Sequence, residues 1–290
     1  FMKIIGLIFH IFALSIEFNN DSVQSSYSFK IKNDCFTNEI ISSPIIKNEE
    51  VICFYNCSFE LYSSDKLIDL NNSIALLEDC TFQNILIQNN NILCIQSSNI
   101  TIDNCYFSEN KALNVSSIDG LIFKITSSLA KFNKCQFNNT NINSNGYRSN
   151  GLIYFDSTIA EIYNCHFFGN YMKFSDSSSV VINGGVIDAY LSYITCLYCY
   201  FTNHFIDSYA SNSIGLSGGI IKLKSSNTTI CDCHFINNSI FSYTGNGNGN
   251  DGGIIHIESS NSSLINCLFS LNYINSNSGN GNGNNGGIIH

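Results

Sequence analysis

The chain has 290 residues, of which 44% are hydrophobic but only 12% charged, about half the usual charged share. That length allows a sizeable core in one or two domains. The net charge of −9, with no basic cluster, excludes a nucleic-acid binder that works by neutralising phosphates. Polar surface must come mostly from the 43 Asn and 41 Ser, because there is one Arg (Arg148), one Pro (Pro44) and no Trp. Asn, Ser and Gly disfavour helix, and the β-branched and aromatic residues favour strands.

Taken in chain order, residues 1–15 come first. One Lys is followed by an apolar run and Ala13-x-Ser15, the pattern of a signal peptide and too short for a comfortable membrane span. It predicts a secreted or cell-surface chain. Nine Asn-x-Ser/Thr sequons are about as many as this composition yields, so they add nothing to that expectation. Residues 16–50 are expected to form an N-terminal cap and a degenerate first coil, with Cys35-Phe36 as its poor copy of the repeat described next.

From residue 51 to 290 the chain repeats. The phrase Cys-x-Phe recurs as Cys57/Phe59, Cys80/Phe82, Cys105/Phe107, Cys135/Phe137, Cys165/Phe167, Cys199/Phe201, Cys233/Phe235 and Cys267/Phe269, at spacings of 23, 25, 30, 30, 34, 34 and 34. A repeat of this size is one supersecondary unit. Within it, Ile255 and Ile257 flank His256 as two inward positions around one outward one, and Ile221/Lys222/Leu223 and Ile187/Asp188/Ala189 are equivalent. A Ser-Ser pair follows at 97–98, 127–128, 225–226 and 259–260, a natural corner. A second alternating pair comes next, such as Ile100 and Ile102. The alternation then slips by one residue at Asp79, Asn104, Asn164, Asp232 and Asn266, residue types willing to adopt a left-handed backbone. Cys-x-Phe begins a third strand with both side chains inward.

The expected fold is an all-β, right-handed single-stranded parallel β-helix of about nine coils, three short strands each. Stacking places Cys over Cys and Phe over Phe about 4.8 Å apart. The extra residues of the longer repeats fall at 143–150, 171–183, 206–217, 240–251 and 274–285, always at one corner. They are expected to project as a stacked loop face. The sequence stops at His290 after the first strand of a further coil, which implies a truncated C-terminus and leaves any membrane attachment to a missing C-terminal anchor.

Thirteen Cys in a secreted chain favour disulfides. In-register neighbours nevertheless sit about 4.7–4.9 Å apart, wider than bridged Cβ atoms, so the ladder thiols are expected to be small buried hydrophobes. The off-ladder Cys53, Cys94, Cys196 and Cys231 are the better candidates for a bridge. Cys196, Cys199, Cys231 and Cys233 superficially offer four thiolates for zinc. However, Cys199 and Cys233 occupy the ladder position and Cys196 an apolar slot, so no metal or other cofactor is expected. Gly247–Gly253 lacks the tandem nine-residue period of a calcium-binding repeat.

No Asp-Asp pair, Asn-Thr-Asp or Gly-His-Gly supplies a catalytic cluster, and no catalytic residues are assigned. Asp188 and Lys222, His256 and His290, and His166 and His234 with Tyr200 between them align across coils and are expected to be solvated strand residues. Gly-Gly-x-Ile (Gly184–Ile187, Gly218–Ile221, Gly252–Ile255, Gly286–Ile289) and Phe-x-x-Asn (Phe107–Asn110, Phe167–Asn170, Phe235–Asn238, Phe269–Asn272) remain. Together they resemble the motifs of the polymorphic membrane proteins of chlamydiae and similar β-helix surface proteins of parasitic protists, with a pectin-lyase-like fold. Ile or Val stands here where the bacterial family usually has Ala. The resemblance implies a non-enzymatic, adhesin-like protein whose loop face meets a host surface, a glycan or a neighbouring molecule. The alternative is a carbohydrate-active enzyme, a polysaccharide lyase or glycoside hydrolase of the pectin-lyase-like class.

Overall fold

A computed structural model describes residues 33–60, 63–64, 66–88, 91–176, 181–183, 185–210, 216–217, 219–244, 253–278 and 287–289. The expected signal peptide, residues 1–15, lies outside them, as do His290 and most of Gly247–Gly253. The described chain is a β-solenoid of short parallel strands stacked into four sheets. Among the described residues no helix is long and apolar enough to cross a membrane.

One coil shows the plan. Leu93–Gln96 belongs to sheet I, Asn99–Asp103 to sheet II, Tyr106–Ser108 to sheet III and Lys111–Asp119 to sheet IV. The sheets hold eight, nine, nine and ten strands respectively. Sheets I to III are the three strands the repeat predicts. Sheet IV is a correction, because it occupies the corner expected to carry loops. Asn141–Asn150, Tyr171–Asp176, Phe205–Ala210, Ser239–Thr244 and Tyr273–Ser278 pair there in parallel. The alternation Tyr171-Met172-Lys173 and Phe205-Ile206-Asp207 drives it, since Met172 and Ile206 are fully buried.

The core is a set of columns. Phe59, Phe82, Phe107, Phe137, Phe167, Phe201, Phe235 and Phe269 form one unbroken stack, with ring centroids 4.2, 4.7, 4.9, 4.6, 4.8, 4.8 and 4.9 Å apart. Each buried ring contributes about 1.5–3 kcal/mol in transfer alone. The first coil departs from the expected alignment: Cys35 pairs in register with Cys53 on sheet II, and Ile41 with Phe59 on sheet III. Cys35-Phe36 is therefore not a copy of Cys-x-Phe.

Three corners of each coil share one device. The turning residue has φ between 49° and 58°, as at Ser97, Asn104 and Glu109, or 63° where it is Gly169. Where the next residue is Ser, Cys or Asn it points inward, and its side chain bonds backbone groups of its own and adjoining coils; Ile85 and Thr140 depart from this, and the Thr140 hydroxyl has no partner among the described residues. At the first corner, Ser98 Oγ accepts from Ser73 N–H at 2.9 Å and donates to Gln96 O at 2.7 Å. Ser192, Ser226 and Ser260 repeat this one coil apart. At the third corner, Asn110 Oδ1 accepts from Ile85 N–H and Asn110 Nδ2 donates to Phe82 O, both at 3.0 Å. Turning the chain inside a core strands backbone polar groups. Ser, Cys and Asn are short enough to reach them.

Candidate functional site

The Cys-x-Phe side chains lie inside the solenoid. Cys57, Cys80, Cys105, Cys135, Cys165, Cys199 and Cys233 are buried, and Cys267 is half-buried. The corner residues before them, Asp79, Asn104, Asn164, Asp232 and Asn266, have φ of 54°, 50°, 51°, 53° and 51°. Lys134 and Tyr198 take the same conformation in the two coils without Asn or Asp, at 53° and 56°. The thiols are more than small hydrophobes: each donates to the carbonyl two residues earlier, as Cys135 does to Asn133 O at 3.3 Å. Most reach a second carbonyl one coil back, as Cys135 does to Ile102 O at 3.4 Å.

Cys53, one of the four off-ladder bridge candidates, does form a disulfide, but two points of geometry depart from expectation. Cys35 and Cys53 form a disulfide although they are in-register neighbours, with Cα atoms 4.5 Å apart, inside the range that bridged pairs span. They occupy an outward slot of sheet II, where no corner carbonyl engages the sulfur. Secondly, three of the four thiols not expected to serve as a metal set do converge. Cys196, Cys199 and Cys233 place their Sγ atoms within 4.8 Å of one another, all buried, with Cys196 and Cys233 at 3.8 Å. Cys231 turns outward and meets Asp232 Oδ2 at 3.1 Å. Pairing with the Cys199 and Cys233 thiols, then burial, pushes the Cys196 thiol well up.

Sheet I carries an outward column of polar chemistry: Asp69, Cys94, Lys124, Tyr154, Asp188, Lys222 and His256 stand in register. Asp188, Lys222 and His256 were expected to be solvated, yet they are only 4%, 5% and 6% exposed. Opposite charges in register at Asp188 and Lys222 make that burial tolerable. Beside them, Lys224 bonds Glu258 at 2.6 Å and holds its carboxyl below the usual range, with Lys222 and His256 adding to the effect. This column brings an acid, a cation, a phenol and an imidazole onto neighbouring coils, a set capable of proton transfer.

A second surface is aromatic. His166, Tyr200 and His234 stack at 4.7 Å steps on the outer face of sheet III. Just past the corner, Tyr171, Phe205, Phe241 and Tyr273 follow at 5.3, 5.2 and 5.5 Å on sheet IV. Tyr171, Tyr200 and Tyr273 are 37%, 36% and 52% exposed. The sequence aligns His166, Tyr200 and His234; the sheet IV rings escape it because they begin the segments whose length variation reads as loop.

His204 stands in the column of Asn110, Asn170, Asn238 and Asn272, which Ile85 and Thr140 also interrupt. It fills the slot of Asn170 and Asn238, fully buried, and its Nδ1 accepts from Asn170 N–H at 3.3 Å. Its Nε2 has no partner among the described residues. Burial pushes the imidazole down to about 3.

No protein-family model matches the chain, and no curated protein matches it. Among solved structures the chain is similar to the A-module of the mannuronan C-5 epimerase AlgE6 of Azotobacter vinelandii. Identity is 8% over 90% of this chain and 91% of that one, with a TM-score of 0.21.

Proposed function

We propose that this protein is a non-enzymatic, adhesin-like β-solenoid, secreted or displayed at the cell surface, that binds a glycan along its outer wall. The observation that carries the reading is the pair of ring columns at the surface, His166–Tyr200–His234 and Tyr171–Phe205–Phe241–Tyr273, in which His166, Tyr171, Tyr200 and Tyr273 are exposed and His234, Phe205 and Phe241 half-buried. Rings held at the surface offer an apolar face with polar edges, a combination favoured where one side of a contact is wet. Because the columns sit on paired strands, little order has to be imposed when a ligand docks. The scarcity of Lys and Arg favours an uncharged glycan over an acidic one.

The test is saturable binding of the full chain to a glycan array and to cells. Tyr200→Ala and Phe205→Ala should each weaken binding by roughly tenfold while leaving the unfolding midpoint in place. Absence of saturable binding, or binding unchanged by both substitutions, refutes the reading.

One observation favours a second reading, the carbohydrate-active enzyme. Tyr154, Asp188, Lys222 and His256 bring acid–base groups together on neighbouring coils, withdrawn from solvent. Turnover of polygalacturonate or alginate by the unsubstituted chain, lost in Asp188→Asn under conditions where circular dichroism shows that variant still folded, would select it.

A further inference from the structure

Inside the solenoid, three thiols meet where the repeat asks for two. The corner column requires Cys199 and Cys233, which bond the carbonyls of Leu197 and Cys231 at 3.3 Å like every other member. Cys196 belongs to a different column. Its in-register neighbours are Ile162 and Ile230, both buried aliphatic side chains. Nothing in the coil calls for sulfur at this slot, and among the described residues Cys196 is the one fully buried thiol outside the corner column.

The geometry points to a buried site for a single soft, thiophilic metal ion of the copper(I) class, held by the sulfurs of Cys196, Cys199 and Cys233. With metal–sulfur bonds of about 2.3 Å, a trigonal site needs sulfur–sulfur edges of about 4.0 Å. The three Sγ atoms already lie within 4.8 Å of one another, and Cys196 and Cys233 are 3.8 Å apart, so ligation asks for side-chain rotations rather than a new backbone. An all-sulfur, water-free set selects soft ions. Zinc is disfavoured because its structural sites take four ligands. Cys231 points outward, and Cys165 lies two coils from Cys233, about 9.6 Å along the axis at the parallel-strand spacing. It cannot share a tetrahedron with Cys233. Each sulfur that ligates as thiolate releases its proton on binding, and because the site is closed the ion must enter as the chain folds.

The experiment folds the full chain, with reductant and without oxygen, in the presence of copper(I) stabilised by acetonitrile, then challenges it with a chromophoric copper(I) chelator. We expect one ion retained per chain, sulfur-only coordination in the X-ray absorption spectrum and a near-ultraviolet sulfur-to-metal band. Cys196→Ile restores the residue of the coils on either side and so preserves the fold; it should lower affinity by roughly tenfold or more with an unchanged unfolding midpoint in metal-free buffer. Retention of no ion overturns the site. So does equal retention by Cys196→Ile, which would assign the copper to the ladder thiols in general. A peptide map showing Cys196 joined to Cys233 in chain folded with reductant would make the pair a covalent staple instead, and would equally overturn it.

Discussion

The side-chain amide of Asn238 donates to the carbonyl of Phe201, 2.9 Å away on the coil before it, while its Oδ1 accepts the amide N–H of His204 at 3.1 Å. Its neighbour Asn237 does a different job, turning the corner at φ 55° in contact with solvent. The adjacent asparagines should therefore respond very differently to substitution. Asn238→Leu removes the partners of two buried backbone groups and should cost roughly 2–5 kcal/mol. Asn237→Ala meets the left-handed penalty, about 1–2 kcal/mol, and loses only a solvent-exposed bond from its amide to Asn203 Oδ1. Urea unfolding midpoints of the two variants check this; equal losses would show that the inward asparagines are not a distinct structural element.

His204 makes the fold acid-sensitive. An unfolded imidazole titrates near 6.5, whereas burial pushes this one down to about 3. Below about pH 6.5 the unfolded chain binds a proton that the folded chain refuses, so stability falls as pH drops from there towards 3 and is unaffected above about 7. Each pH unit across that window costs about 1.4 kcal/mol, so the loss amounts to several kcal/mol. His204→Asn restores the residue found at Asn170 and Asn238 and should flatten this slope, leaving only the carboxylate contribution. Thermal melts at pH 4 and pH 7 give the comparison; identical pH dependence in the two proteins would mean that His204 becomes protonated without cost.

The repeat was legible because stacking rewards identity: Phe sits on Phe, and the Cys-x-Phe period marks each coil. The left-handed corners were legible from Asp79, Asn104, Asn164, Asp232 and Asn266, since few other side chains tolerate that backbone. Sheet IV was hidden because Asn141–Asn150 and Tyr273–Ser278 are rich in Asn, Ser and Gly, residues that resemble loop until a neighbouring strand supplies their partners. The burial of Asp188 and Lys222 was hidden for a related reason. Period two assigns them to the outer face of a strand but does not say whether that face meets water. Convergence of Cys196 with Cys233 requires register between residues 37 positions apart, which the Cys-x-Phe alignment contains but which the apolar character of that slot in other coils obscures.

Asp188 and Lys222 should be coupled energetically. They are in-register neighbours on adjacent coils, 4% and 5% exposed. Removing one charge leaves the other buried with its compensation diminished, a situation that costs about 3–5 kcal/mol. Asp188→Asn and Lys222→Met should each approach that loss, and the double variant should lose much less than the sum. A double-mutant cycle on unfolding free energies measures the coupling directly. Additive losses would show that the two residues are compensated by different partners.

Gly219 is required for the approach of one coil to the next. A Cβ there would lie 2.0 Å from Ile240 Cδ1 and 2.6 Å from the carbonyl oxygen of Gly253, and the Gly219 N–H already donates to that oxygen at 2.9 Å. The side-chain clash can be relieved, because Ile240→Val deletes the offending methyl. The backbone clash cannot be relieved without breaking the hydrogen bond. Gly219→Ala should therefore destabilise by at least about 1–3 kcal/mol, the usual cost of overpacking, and Gly219→Ala with Ile240→Val should recover only part of it. Full recovery in the double variant would place the whole constraint on Ile240. No recovery would place it on the Gly253 carbonyl, making the second glycine of Gly-Gly-x-Ile a backbone requirement independent of sheet IV packing.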